Sequence, residues 1–301
     1  MGYVRTATTM HQRHVFSQHE NINFIGKPFP RPELMQAFRD LACQDEANFD
    51  GTAGNLLLKE SAASSHNGHA CTLLSDEIML SPLAVDITIL LSRLQDVFGE
   101  IKVLLTIRNQ ADTFQSWMEH VLKKSEYGRI DDMSRYHLKF KDTRDSMLNY
   151  LDYGRYYSFL SERLGKERVL ALPFELMKQD LHAYCRILSN FLGVPAASLY
   201  DRISAAPIEN ARRSRKGIAW LDYRKSLYSG RASRKIDLLA QPLFVISGRA
   251  AATEERLSQL RQRLIPIFSP KNIQLRRALL DDIGVDIAAL GYPLPEGNGD
   301  G

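Results

Sequence analysis

Cysteine is scarce in this sequence. Three residues, Cys43, Cys71 and Cys185, are scattered along 301 positions. They form no Cys-x-x-Cys pair and their number is odd, so buried reduced thiols are expected rather than a disulfide framework. Long apolar runs are lacking: none approaches the ~20 residues that a membrane-spanning helix needs. The first residues carry Arg5 and Arg13 among histidines and have no apolar core of the kind a secretory leader requires. Together these absences predict a soluble, cytoplasmic chain. An excess of one charge is also nearly missing. Lys and Arg number 39 against 35 Asp and Glu, a formal +4, which is too little to imply nucleic acid as a partner. Eight histidines are present. His11, His14 and His19 lie near one another, and so do His66 and His69, but no Cys, Asp or Glu joins them at ligand spacing. No metal site is expected.

What is there is an ordinary globular balance, 44% hydrophobic and 25% charged. Four apolar runs have the length of strands: Ile22 to Ile25 ended by Gly26, Cys71 to Leu74, Lys102 to Ile107, and Val169 to Leu172 ended by Pro173. The third and fourth are continuous, as strands buried on both faces of a parallel sheet are. Helical patterns fall between the runs, over 32–44, 83–98, 111–124, 143–164 and 178–192. Gly165 and Gly193 stand where glycines close helices. Strands alternating with helices predict a three-layer α/β fold, with a central, mainly parallel sheet flanked by helices. The stretch 51–69 is poor in large apolar groups and reads as a surface excursion. The stretch 209–234 is dense in Arg and Lys and reads as a loop over a site. No linker divides the chain, so one domain is expected over 1–295, followed by a disordered tail at 296–301.

Three segments carry chemistry. The first is Gly2-Tyr-Val-Arg5-Thr6-Ala7-Thr8-Thr9, followed by the potential first turns of a helix. A loop entering a helix presents free N–H groups and the positive end of a dipole to an anion. Compared with the GxxxxGK[ST] nucleotide loop, Ala7 stands at the second Gly and Thr8 at the Lys. Such a loop suits a phosphate or sulfate-bearing group better than triphosphate hydrolysis. A Thr-rich helix cap is the plainer reading. The second is Arg108, directly after a buried-type strand, with Ser116 eight residues on. Strand C-terminal ends face the ligand crevice of a parallel sheet, so Arg108 is a candidate phosphate ligand. A surface Arg with a neutral helix serine is the alternative. The third is Arg212-Arg213-Ser214-Arg215-Lys216-Gly217, which by itself is also what a solvated basic loop looks like.

In order and spacing these segments resemble the sulfotransferase superfamily, enzymes that use 3′-phosphoadenosine-5′-phosphosulfate and share a P-loop-like fold. The resemblance implies that Gly2, Arg5, Thr6, Ala7, Thr8 and Thr9 hold the 5′-phosphosulfate, with Ala7 in place of the usual Gly. It implies that Arg108, Ser116, Arg215, Lys216 and Gly217 serve the 3′-phosphate and that Tyr153, in Tyr153-Gly154, contacts adenine. Phe174-Glu175-Leu176, Phe191-Leu192-Gly193, Asn272, Leu275 and Gly291-Tyr292-Pro293 are similar to further family segments. The implied reaction is sulfuryl transfer to an acceptor hydroxyl or amine, with a carbohydrate as the expected small-molecule or glycan acceptor. Arg5 would stabilise the leaving phosphate without a metal. Glu77 stands where cytosolic members carry a catalytic His and is the expected general base. Asp76 and His14 are the competing bases, and a helix-capping carboxylate is the structural alternative for Glu77. The family also has a short strand directly before its phosphosulfate loop, and a first strand missing from this chain is expected. Two other functions fit some of these features: a catalytically inactive relative that binds an anionic glycan, and a P-loop kinase, which the absent loop Lys disfavours.

Overall fold

The computed structural model describes residues 6, 8–65, 68–80, 84–124, 130–141, 143, 146–207 and 249–295. All four expected strands form: β1 (Ile22–Gly26), β2 (Cys71–Ser75), β3 (Val103–Ile107) and β4 (Val169–Pro173). β1 pairs with β2 in parallel, Ile22 opposite Cys71 and Gly26 opposite Ser75. β3 pairs with β4 in parallel, Val103 opposite Val169 and Ile107 opposite Pro173. Every residue of β3 and β4 is buried, as their nearly continuous apolar sequences lead one to expect. The one expected sheet is thus represented by two parallel pairs, and no described residue forms a strand between β2 and β3. Both of these strands line a cavity of about 500 Å³.

The helices are α1 (Thr8–Met10), α2 (Pro32–Cys43), α3 (Thr52–Ser65), α4 (Ile87–Phe98), α5 (Gln110–Lys124), α6 (Ile130–Lys139), α7 (Met147–Tyr150), α8 (Tyr153–Leu164), α9 (Phe174–Gln179), α10 (Leu181–Leu192) and α11 (Ala196–Ala205), with a long C-terminal helix, Arg249–Ile283. Two compact units result. The first holds Met1–Arg108, Tyr153–Glu209 and Gln274–Gly291; the second holds Asn109–Asp152, Asn210–Ile273 and Tyr292–Gly301.

In the first unit, the alternation of side chains along β1 and β2 builds two cores. Ile22, Phe24, Cys71 and Leu73 join Leu170 and Leu172 of β4 against α10 and α11. Ile25 and Leu74 face the other way, onto Leu34, Phe38 and Leu41 of α2, Leu57 of α3 and Leu90 of α4. Period-two strands between two sets of helices are the layered arrangement that the sequence predicts. Gly193 closes α10 in the left-handed region at φ 72°, where glycine carries no Cβ penalty.

Several sequence expectations are corrected. The stretch 51–69 is not merely an excursion, since α3 occupies most of it. Its small residues allow close packing: a Cβ on Gly54 would lie 2.4 Å from Val97 Cγ2 of α4. The helix expected over 143–164 is interrupted at Leu151 and Asp152 and forms α7 and α8. The helix expected over 178–192 is divided by Asp180, whose backbone leaves the helical conformation while its carboxylate accepts the Ala183 N–H at 2.9 Å. An acceptor at this position caps the new helix and ends the old one.

In the second unit, Phe114 and Trp117 of α5 meet the ring of His137 of α6 at 5.9 and 4.8 Å, both edge-on. Gln110 and Asn272 form a buried amide pair, and Lys271 bridges to Asp152 at 2.9 Å.

Candidate functional site

The candidate site lies in the first unit, where strands end and polar residues begin. Each strand leads directly into a candidate residue: Gly26 into Lys27, Ser75 into Asp76 and Glu77, Ile107 into Arg108, and Pro173 into Phe174. The segment beginning at Thr6 is fastened to two of these ends. Buried Thr6 and Thr106 of β3 share a hydrogen bond between their hydroxyls at 2.9 Å. Gln12 Nε2 donates to Ser75 Oγ of β2 at 3.0 Å. Between these anchors, Thr8 Oγ1 donates to Glu77 Oε1 at 2.5 Å. The start of α1 therefore sits against the C-terminal ends of β2 and β3, the position of a ligand crevice in an α/β sheet. After Met10 the backbone continues through a π-type and then a 3₁₀-type turn, His11–Val15 and Phe16–Gln18. His11 is buried there, with Nε2 and the Tyr184 hydroxyl 3.0 Å apart.

Glu77 begins a short 3₁₀ turn, Glu77–Leu80. Asp76 Oδ1 accepts the Ile78 N–H at 3.0 Å, so Asp76 is the residue that caps this turn. Glu77 instead turns one oxygen to Thr8, and Oε2 carries no hydrogen bond among the described residues. Both carboxylates line a cavity of about 550 Å³ together with Lys27, Phe29, Arg31 and Arg39. His14 lines a different cavity, beside Ser198 and Arg202.

Arg108 follows β3, half-buried, with its guanidinium carbon 5.2 Å from the centroid of the Phe174 ring at the end of β4. A ring beside the planar cation leaves the guanidinium N–H groups able to donate to acceptors. Thr9 is half-buried in α1. Tyr153 is wholly buried at the first turn of α8. Ser116 is buried in α5 of the second unit. Gly2, Arg5, Ala7, Arg215, Lys216 and Gly217 lie outside the described residues. Among the described residues no group of three His, Cys, Asp or Glu could hold a metal ion, and no helix is long and apolar enough to cross a membrane.

A family model described as "Sulfotransferase domain" matches residues 1–241. The chain belongs to the sulfotransferase domain family. A sulfotransferase structure from Alicyclobacillus acidocaldarius is 17% identical, with a TM-score of 0.45, and the match covers 75% of this chain and 90% of that one. The comparison with curated proteins finds no match. The sulfotransferase domain match spans Thr6, Thr8, Glu77 and Arg108, the residues whose surroundings are described above.

The sequence does not single out Lys27, Arg31 and Arg39 as one group. Their spacing shows no motif, and only the turn from β1 into α2 brings them to one cavity with Glu77.

Proposed function

We propose that this chain is a sulfotransferase that takes its sulfuryl group from 3′-phosphoadenosine-5′-phosphosulfate and passes it to an acceptor hydroxyl or amine. A carbohydrate is the acceptor class that the sequence resemblance favours. The observation that carries the proposal is the Thr8–Glu77 hydrogen bond, which joins a Thr-rich helix start to a carboxylate at the end of β2. The fit to the donor is chemical. Backbone N–H groups at a helix start suit an anion, and Arg108 offers a forked cation at the end of β3.

When bound, the donor supplies an electrophilic sulfuryl group: the acceptor oxygen bonds to sulfur as the bond from sulfur to the bridging phosphate oxygen breaks, and that electron pair leaves on the phosphate. Glu77 Oε2 takes the proton of the acceptor, which is general-base work. The hydrogen bond from Thr8 to Oε1 orients the carboxylate for it. Arg5 and the loop N–H groups hold the phosphate on which charge accumulates. Arg108 holds the 3′-phosphate, and Phe174 fixes the plane of its guanidinium. Tyr153 is the residue that the sequence resemblance gives to adenine.

The test is transfer of radiolabelled sulfuryl from the donor to a panel of glycans, lipids and phenols, with Arg108→Ala as the control. Label transferred by the unaltered protein and lost in the control supports the reading. Calorimetry that finds no binding of 3′-phosphoadenosine-5′-phosphate overturns it and leaves a sulfotransferase-like protein of another activity.

A further inference from the structure

Gln12 is a polar residue buried among apolar neighbours. It is 3% exposed and lies in the π-type turn His11–Val15. Met10, Val15 and Phe16 of the same stretch all enter the apolar core with α10 and α11. A buried amide is costly unless its groups are bonded. An apolar side chain of the same length would fill the space without that cost. Turns of the π type are rare and are frequent at functional sites.

The amide has a specific task. Its Nε2 donates to Ser75 Oγ at 3.0 Å, with the Ser75 carbonyl at 3.4 Å. Ser75 is the last residue of β2 and is itself buried. Thr8, four positions before Gln12, donates to Glu77, two positions after Ser75. The stretch from Thr8 to Gln12 is therefore joined to the end of β2 by two successive hydrogen bonds, one at the proposed base and one beside it. A helix as short as Thr8–Met10 has no stability of its own, so tertiary bonds must hold Thr8 in place. Toward β2 the bond is that of Gln12. Toward α10 it is that of His11, whose Nε2 and the Tyr184 hydroxyl are 3.0 Å apart.

Resting on the sulfotransferase reading, with Glu77 as its base, we infer that Gln12 is a positioning residue for the transfer step. By pinning the turn to Ser75 it keeps the Thr8 hydroxyl on Oε1 of Glu77. The carboxylate is thereby held in the orientation from which Oε2 takes the proton of the acceptor. Gln12 acts through Thr8 and not on donor or acceptor.

The experiment measures kcat and KM with labelled donor, the full chain and the acceptor of the glycan, lipid and phenol panel that the unaltered protein labels most. Gln12→Met keeps the volume and loses the donor. Its kcat is expected to fall about tenfold, less than the ~10²-fold of a fully misplaced group. KM for the acceptor and affinity for 3′-phosphoadenosine-5′-phosphate should stay within about twofold. Ser75→Ala removes the same hydrogen bond from the other side but leaves the Ser75 carbonyl, so its loss should be smaller and fall on kcat as well. In a Glu77→Gln background Gln12→Met should cost less than about twofold more, since the group that it positions is no longer a base. Tyr184→Phe takes from the same turn its bond toward α10 and is the control for general loosening. Its thermal midpoint should fall while kcat stays within about twofold. A normal kcat in Gln12→Met, a full tenfold loss in the Glu77→Gln background, a tenfold loss in Tyr184→Phe, or a Gln12→Met protein that no longer binds 3′-phosphoadenosine-5′-phosphate overturns the assignment alone. No transfer of label by the unaltered protein to any member of the panel overturns the sulfotransferase reading and the assignment with it.

Discussion

Thr8 Oγ1 and Glu77 Oε1 stand 2.5 Å apart, so residues separated by 69 positions hold the start of α1 to the end of β2. The first prediction follows from this pair. Glu77→Gln keeps the size of the side chain and a hydrogen-bond acceptor for Thr8 but cannot take a proton. Turnover is expected to fall about 10²–10⁴-fold, the usual contribution of a general base, with affinity for 3′-phosphoadenosine-5′-phosphate unchanged. Steady-state kinetics beside calorimetry separates the two. Near-normal turnover would pass the role to another group, and Asp76→Asn would be the next variant to measure.

Arg108 and Phe174 give the second. Removing the guanidinium in Arg108→Ala should weaken binding of 3′-phosphoadenosine-5′-phosphate about 10–100-fold, the scale of a hydrogen bond to a charged group. Phe174→Leu removes only the ring beneath the cation, 5.2 Å away. Its effect should be about two- to fivefold, as for an exposed cation–π contact. Equal losses in the two variants would mean that Phe174 acts on the fold rather than on the orientation of Arg108.

How far the fold could be read depends on what each segment packs against. β3 and β4 are buried throughout, so their sequences are apolar but for Thr106, and legible. The sequence of α3 carries few large apolar side chains because it packs closely, with Gly54 set against Val97, and small residues there look like a loop. The break at Asp180 depends on one carboxylate turning to the Ala183 N–H, a choice that periodicity does not record. At the site, Glu77 is a candidate from the sequence because it lies two residues past the end of a strand and stands in a family register. Lys27 and Arg39 are not, because only the fold brings the residues after β1 and those of α2 to one cavity.

Gly54 supplies the third prediction. Alanine is ordinarily favoured over glycine in a helix by about 1 kcal/mol. Here the added Cβ would meet Val97 Cγ2 at 2.4 Å, and the β-branched valine has little rotamer freedom to withdraw. Overpacking of this kind costs about 1–3 kcal/mol, so Gly54→Ala should destabilise. In a Val97→Ala background the clash is gone and the same substitution should stabilise. Urea denaturation of the four proteins of this cycle measures the change of sign.

His137 gives a dependence on pH. Burial pushes its imidazole below the ordinary 6.5, and its Nδ1 accepts the Met147 N–H at 3.1 Å, a lone pair that a proton would occupy. As pH falls below 6.5 the unfolded chain takes up a proton on this ring sooner than the folded one, so folding stability declines. Above 6.5 neither form holds it and the full stability is present. His19, lowered by burial and by Arg202, acts with the same sign. The thermal midpoint should be flat from about pH 7 to 8 and fall toward about pH 5. His137→Asn retains an acceptor but no titration, and its midpoint should fall less steeply over the same range. An unchanged slope would assign the decline to other groups.

The amide pair of Gln110 and Asn272 carries the last prediction. Gln110 Nε2 donates to Asn272 Oδ1 at 2.6 Å, and Asn272 Nδ2 donates back to Gln110 Oε1 at 3.2 Å and to the Pro293 carbonyl at 2.9 Å. Both side chains are fully buried. Gln110→Leu leaves Asn272 Oδ1 without this donor and faces it with apolar atoms, a loss of about 1–3 kcal/mol. Asn272→Leu strands Gln110 in the same way and also frees the Pro293 carbonyl, so its cost should be the larger of the two. Replacing both removes the mismatch between the partners and leaves only the carbonyl unsatisfied. The double variant should therefore lose clearly less than the sum of the single losses. Denaturation midpoints of the two single variants and the double variant decide it. Strict additivity would mean that the two amides are independently satisfied, and that the pairing does not couple the start of α5 to the C-terminal helix.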